Sequence, residues 1–293
     1  MKGRARLAAT NWKLFQRFRS LRHLTSSCET VGMGSEREIV LAGGNLTKVV
    51  RVGDTVRREA GPWTPSIHRL LRHLRDRGFT LAPKPLGIDD LGREILTFIP
   101  GETLTEGLWP KWVWSDELLE EAVTVLLDYH QKVADFLPTH VESRLGTEPL
   151  ASDQIVCHND FAPYNCVFRE GHIAGLIDWD VVCAGDPTWD LAFFAWHWVP
   201  LYTPSSDIAW RSLDVCRRRL RHIVDSYGLD DRSGFVKLIV ARVEASRDGI
   251  ITRASEGDEV FIRLERDGHT EEMQRAIDFV RENEKLLNDA LDH

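Results

Sequence analysis

Residues 157–165 read Cys-His-Asn-Asp-Phe-Ala-Pro-Tyr-Asn, which sets His158, Asp160 and Asn165 between an apolar approach, Ile155-Val156, and an apolar exit, Val167-Phe168. Asp, Asn and Pro are ordinary turn formers, so one reading is a polar turn closing a hairpin. The other is a loop that carries a general base and a metal ligand. Downstream, Asp178 and Asp180 lie among Ile173, Leu176, Ile177, Trp179, Val181 and Val182. Burying an ionised carboxylate without a partner is costly, so a cation or a strong hydrogen-bond donor must meet Asp178. Mg²⁺ suits that environment, because it takes oxygen ligands and commonly uses one or two carboxylates plus substrate phosphates. Across a strand-turn-strand, the amide oxygen of Asn165 reaches the neighbourhood of Asp178. Asp160 is then left to accept a proton from a substrate hydroxyl. Asp180 reads either as a ligand to a second metal or as the exposed alternate residue of a strand, and His158 as a histidine bonded to backbone or as a proton shuttle beside Asp160.

These residues need a frame. Over 38–59, runs of Val, Ile, Leu and Thr broken by Gly43-Gly44-Asn45 and Gly53-Asp54 predict three antiparallel strands. A helix follows, with Ile67, Leu70, Leu71 and Leu74 on one face and Gly78 placed to stop it. "APKPLGID" reads as a proline-marked connection, and "EILTFIPG" as a strand running through Thr97, Phe98 and Ile99 into a hinge at Pro100-Gly101. Beyond it, Leu118, Leu119, Ala122, Val125, Leu126, Tyr129 and Val133 line a long helix, and further helices are expected near 208–226, 233–253 and 270–290. Only 154–183 returns to short strands. The expected fold is α+β and two-lobed: a basic tail over 1–30, a small antiparallel sheet lobe over 31–99 and a mainly helical lobe over 100–293. The aromatic group Trp189, Phe193, Phe194, Trp196 and Trp198 reads as core, or in part as a surface for a cationic acceptor; Arg217-Arg218-Arg219 reads as a solvated helix face.

A formal charge of −8 hides an uneven distribution, since residues 1–30 hold seven Lys or Arg and one acid, Glu29. The remainder is more acidic still, which argues against nucleic acid and favours a cationic small molecule. The five cysteines, Cys28, Cys157, Cys166, Cys183 and Cys216, include no Cys-x-x-Cys pair, so neither a disulfide framework nor a zinc site is expected and the cytoplasm is the natural compartment. No apolar run approaches about 18 residues, so no membrane span is expected. The chain has no Gly-x-x-x-x-Gly-Lys-Ser/Thr, which sets aside a P-loop ATPase, and lacks His-Arg-Asp, Asp-Phe-Gly and Ala-Pro-Glu, which sets aside a protein kinase proper.

Three ordered segments, His158-Asn159-Asp160 through Asn165, Ile177-Asp178-Trp179-Asp180, and Gly185-Asp186-Pro187 through Asp190-Leu191-Ala192, resemble the aminoglycoside and choline kinase type of phosphotransferase, which has a protein-kinase-like fold. Through "VVRVGDTVRR", "GREILTFIPGE" and "HNDFAPYN" the chain looks closer still to actinobacterial phosphotransferases grouped with trifolitoxin immunity proteins. The resemblance implies transfer of the γ-phosphoryl group of ATP, with Mg²⁺, to a small-molecule hydroxyl such as that of an aminoglycoside or amino alcohol. It implies Asp160 as base, His158 as brace of the loop, Asn165 and Asp178 as metal ligands, and Asp190 as a structural fastening. Nucleotide would lie against Gly43, Gly44, Thr97, Phe98 and Ile99, with Arg58 on the third strand reaching the phosphates. The usual helix Glu that pairs with this cation is missing; either Glu59 substitutes or nucleotide binding differs. The alternative reading is a non-catalytic immunity or binding protein on the same fold.

Overall fold

The computed structural model describes residues 38–41, 49–104, 109–202 and 211–292. Gly43 and Gly44 lie outside the described residues. The period-2 pattern folds as expected: β1 (Glu38–Val40), β2 (Val50–Val52) and β3 (Thr55–Glu59) form an antiparallel ladder, with Gly53 in the β2–β3 turn. β3 continues onto β5 (Arg93–Thr97), and β5 onto β4 (Pro85–Ile88), giving a sheet in the order β1-β2-β3-β5-β4. The proline-marked stretch is thus an edge strand rather than a connection, a place where Pro costs no ladder bond. One helix, α1 (Thr64–Asp76), covers this sheet with Ile67, Leu70, Leu71 and Leu74 buried. Gly78, at φ 81°, follows its end.

The chain leaves the sheet through Phe98–Gly101 and enters a second one, where β6 (Glu102–Thr103) pairs with β10 (Cys166–Arg169) and β10 with β11 (His172–Leu176). Gly101 is required there. It has φ 156°, and a Cβ on it would stand 2.4 Å from the Phe168 carbonyl oxygen. On the other side, α2 (Asp116–Val133) is capped by Ser115, whose hydroxyl accepts from Leu118 N at 3.1 Å, and buries the predicted face from Leu118 to Val133.

Between α2 and the site lie two elements without a strong periodic signal, the hairpin strands β7 (His140–Ser143) and β8 (Gly146–Pro149). β9 (Ile155–Cys157) then pairs with β12 (Cys183–Gly185). The rest is helical: α3 (Pro187–Trp198), α4 (Leu213–Tyr227), α5 (Phe235–Ser255), α6 (Glu259–Arg266), α7 (His269–Glu282) and α8 (Glu284–Asp289). The single helix expected near 270–290 is therefore two, separated at Asn283, and α6 is an addition.

One apolar cluster joins α1, α2, β9, α3, α4, α5 and α7. Phe193, Phe194, Trp196 and Trp198 belong to it, while Trp189 is half-buried. The expected solvated run of arginines is corrected at Arg219, which is 1 % exposed and donates to the carbonyls of Trp198 and Trp114. No helix among the described residues is long and apolar enough to cross a membrane.

Candidate active site

The loop after β9 is fastened from below. Asp190, fully buried in the first turn of α3, accepts from His158 N at 2.7 Å, Asn159 N at 2.8 Å and His130 Nε2 at 3.2 Å. These bonds turn the chain sharply, and Asn159 takes φ 67°, a left-handed conformation that Asn tolerates better than most residues. Its side chain and carbonyl are then gripped. Nδ2 donates to Val181 O at 2.8 Å, while Arg242 donates to Asn159 O at 2.9 Å and to Oδ1 at 2.6 Å. Arg242 comes from α5, is 4 % exposed, and lies over the rings of Phe193 at 4.6 Å and Trp189 at 5.2 Å. The cation on those aromatic faces is the protein's own.

Held this way, Asp160 accepts from the Tyr164 hydroxyl at 2.8 Å on Oδ1 and from Asn165 Nδ2 at 2.8 Å on Oδ2. Burial, and then the nearby Asp178 charge, push its carboxyl up to about 7 against the opposing pull of those two hydrogen bonds. A base works best with a pKa near the operating pH. His158 is fully buried against Trp179, with ring centroids 4.5 Å apart, and its Nδ1 accepts from Asp160 N at 3.3 Å. Burial holds its imidazole below the ordinary histidine range, so a neutral ring braces the loop.

Asn165 closes the 3₁₀ turn Pro163–Asn165, and its carbonyl accepts from Ile177 N at 2.9 Å, next to the register pair Cys166–Leu176. The ladder therefore delivers Asn165 and Asp178 to neighbouring strand ends. Asp178 is at φ 64°, ψ 64°, and a 3₁₀ turn (Trp179–Val181) follows. The expected strand through Ile177–Asp180 is corrected by this left-handed step, and with it the reading of Asp180 as an exposed strand residue: Asp180 is 9 % exposed and ion-paired.

Arg58 is buried on β3 and reaches three carboxylates: Glu94, Asp180 at 2.7 Å and Asp178 at 3.6 Å. Glu94 is its cross-strand neighbour on β5, is 1 % exposed, and accepts a second hydrogen bond from His68 Nε2 of α1 at 2.8 Å. The expected substitution by Glu59 for the missing helix Glu does not hold. Glu59 is exposed and pairs in register with Arg93, whereas a strand glutamate takes the place, with the helix contributing a histidine behind it. Burial alone would raise the Glu94 carboxyl, but the His68 hydrogen bond and the Arg58 charge outweigh it and hold it low.

The cluster is short of positive charge. Burial raises Asp180 to about 6 in spite of Arg58, with Asp178 adding to the rise. Asn165 spends its amide nitrogen on Asp160 O at 2.9 Å and Oδ2, while its Oδ1 has no hydrogen bond among the described residues. Asp178 keeps 38 % of its side chain exposed. An oxygen-only donor pair beside excess negative charge fits a hard divalent cation completed by phosphate and water oxygens. Among the described residues no group of three or more His, Cys, Asp or Glu forms a metal site by itself.

Of the remaining expected nucleotide contacts, Thr97 and Phe98 have committed backbone groups: Thr97 N donates to Lys84 O at 3.0 Å and Phe98 N to Asp54 O at 2.8 Å. Ile99 makes no backbone hydrogen bond among the described residues, and its side chain fills the space over Gly175. The residues not singled out from sequence are Glu94, His68, Tyr164 and Arg242. Tyr164 and Arg242 left faint signals, one adjoining Asn165, the other a charge three residues after Ile239 on an apolar helix face.

A family model described as the phosphotransferase enzyme family matches residues 115–221. The trifolitoxin immunity protein of Rhizobium leguminosarum bv. trifolii is 36 % identical over 234 residues, covering 74 % of this chain and 87 % of that protein. Among solved structures, a spectinomycin phosphotransferase in complex with ADP and spectinomycin gives a TM-score of 0.55 at 12 % identity, over 85 % of this chain and 92 % of that one. The GDP complex of an aminoglycoside 2'-phosphotransferase gives 0.51 at 14 % identity, over 89 % and 94 %. These structural likenesses are of fold, the two-part kinase-like arrangement of small sheet and helical body. By its sequence relative and its matched segment together, the chain belongs to the phosphotransferase enzyme family.

Proposed function

We propose that the protein transfers the γ-phosphoryl group of ATP to a hydroxyl of a small molecule. One observation carries this reading: Arg58 on β3 ion-pairs with Asp178, which the β10–β11 ladder sets beside Asn165, whose amide in turn holds Asp160. A base, two oxygen donors and a phosphate-seeking cation thus form one connected cluster. The solved structure of like fold that holds ADP with spectinomycin supports the same assignment of nucleotide and small acceptor.

In this mechanism Asp160 accepts the proton of the acceptor hydroxyl as that oxygen forms its bond to phosphorus. Tyr164 and Asn165 hold the two carboxylate oxygens in place for that transfer. Asn165 Oδ1 and Asp178 would hold the magnesium ion, which supplies charge neutralisation on the phosphates when bound. Arg58 adds a fixed positive charge from the sheet side, and Glu94 keeps it oriented. Residues 31–99 serve as the nucleotide lobe and 100–293 as the acceptor lobe. Phosphoryl transfer asks mainly for alignment and neutralised charge, which suits so small a set of groups. The acidic balance of the chain favours a cationic acceptor of aminoglycoside or amino-alcohol type.

Incubation with Mg²⁺ and ATP over a panel of hydroxyl compounds, read by ADP release and product mass, tests the reading. Transfer is expected to one class of acceptor and to fall by about 10²- to 10⁴-fold in Asp160→Ala. A second reading, a non-catalytic immunity protein, draws on the name of the 36 % identical relative and on the engagement of Arg58 by three carboxylates. It predicts no acceptor-dependent ADP release at all, whether or not nucleotide is bound.

A further inference from the structure

The β9–β12 register sets Cys157 directly opposite Cys183. Opposed residues of an antiparallel pair share a face, with Cβ atoms about 4.5–5.5 Å apart. A disulfide needs about 3.5–4.5 Å, so a small closure suffices. The Cys157 thiol donates to Asp186 O at 3.6 Å. Gly185 makes room for it. A Cβ there would stand 3.0 Å from Cys157 Sγ, so any larger residue would crowd the sulfur.

Exposure divides the two chemically: Cys183 is partly exposed, whereas Cys157 is buried. The bond would also join two informative points. β9 runs into the loop bearing Asp160 and Asn165, and β12 leaves the turn that follows Asp178.

We propose that Cys157 and Cys183 are an oxidation site, a dithiol that a hydroperoxide converts to an intramolecular disulfide. The Cys183 sulfur attacks the terminal peroxide oxygen, the O–O bond breaks, and water (or an alcohol from an organic hydroperoxide) leaves with Cys183 as the sulfenic acid. The Cys157 sulfur then attacks Cys183 sulfur, the S–O bond breaks, and a second water carries away the hydroxyl and the thiol proton. Two thiols lose two electrons and one peroxide gains them. The neighbouring Cys183 thiol, and then burial, push the Cys157 thiol up, which fits it as the resolving sulfur rather than the first to react. Such a bond in a reducing compartment is transient and signals oxidant load. The inference stands on strand geometry and is independent of the proposed activity.

The test is graded hydrogen peroxide on the full chain at pH 7.5, alkylation of remaining thiols and peptide mass mapping without reductant. The expected result is one linked peptide pair, Cys157 to Cys183, two hydrogens lighter than the free peptides and reversed by dithiothreitol. Cys183→Ser, a change at the partly exposed position that leaves the core intact, should remove the linked pair. Cys28→Ser should retain it. The proposal is overturned if Cys183 accumulates as sulfinic acid with Cys157 still alkylatable, if both thiols remain unreacted, or if the disulfides formed join other cysteines.

Discussion

Replacing Glu94 by Gln tests the unusual anchoring of Arg58. Glu94 is 1 % exposed and accepts from Arg58 Nε on one oxygen and from His68 Nε2 at 2.8 Å on the other. A glutamine has the same shape but only one acceptor oxygen, so one of two donors would face an N–H. Hydrogen bonds to charged groups contribute about 1.5–3 kcal/mol each, and a donor left unsatisfied in the interior adds its desolvation cost. Arg58 keeps Asp180 at 2.7 Å, which limits the damage. The expected loss is therefore about 2–4 kcal/mol, below the 3–5 kcal/mol typical of a fully broken buried pair. In thermal unfolding that corresponds to a fall in Tm of roughly 5–15 °C. Glu59→Gln, one residue along β3 from Arg58 and exposed, should change stability by less than about 0.5 kcal/mol. If Glu94→Gln is neutral while Glu59→Gln is costly, the strand glutamate is not the partner of Arg58 and the account of the sheet side is wrong.

Burial, with Arg242 nearby, lowers His197 to about 3 despite the hydrogen bond to the Phe193 carbonyl. Its folded pKa lies below the unfolded value of about 6.5, so the unfolded state binds the proton first and stability falls as pH drops below about 6.5. Between pH 6.5 and 5 this group costs about 2 kcal/mol, and His197→Leu should flatten the acid limb of a urea-midpoint profile by that amount; parallel profiles would refute it. Gly101→Ala must force its Cβ to within 2.4 Å of Phe168 O at φ 156°, and a loss of about 2–4 kcal/mol is expected in denaturant titration. A variant as stable as the parent would mean that the crossing into β6 is looser than described.

The loop was legible because its chemistry is local. His158, Asp160, Asn165 and Asp178 sit in short segments whose spacing limits where they can go, and Asp190 follows close behind. Periodicity likewise delivered β1–β3, α1, α2, α4 and α5. What stayed hidden depended on contacts far apart in sequence: Glu94 lies 36 positions from Arg58, and Arg242 lies 83 from Asn159, so neither partnership leaves a local pattern. The reading of Asp180 as an exposed strand residue failed because alternation assumes an unbroken strand, and the left-handed Asp178 breaks it. Arg219 misled for a related reason, since a run of three arginines on a helix spans both its solvent side and its core side.

The proposed phosphoryl transfer requires Asn165 and Asp178 to hold a divalent ion against the phosphates while Asp160 serves the acceptor alone. Calorimetric titration with ATP, with and without Mg²⁺, on the parent chain and on Asp160→Asn, Asn165→Ala and Asp178→Asn measures this directly. ATP affinity should depend on Mg²⁺ in the parent, stay within about threefold in Asp160→Asn, and fall by at least about tenfold, about 1.4 kcal/mol, in the other two. Affinity that is indifferent to Mg²⁺ and unchanged in Asn165→Ala and Asp178→Asn would contradict it.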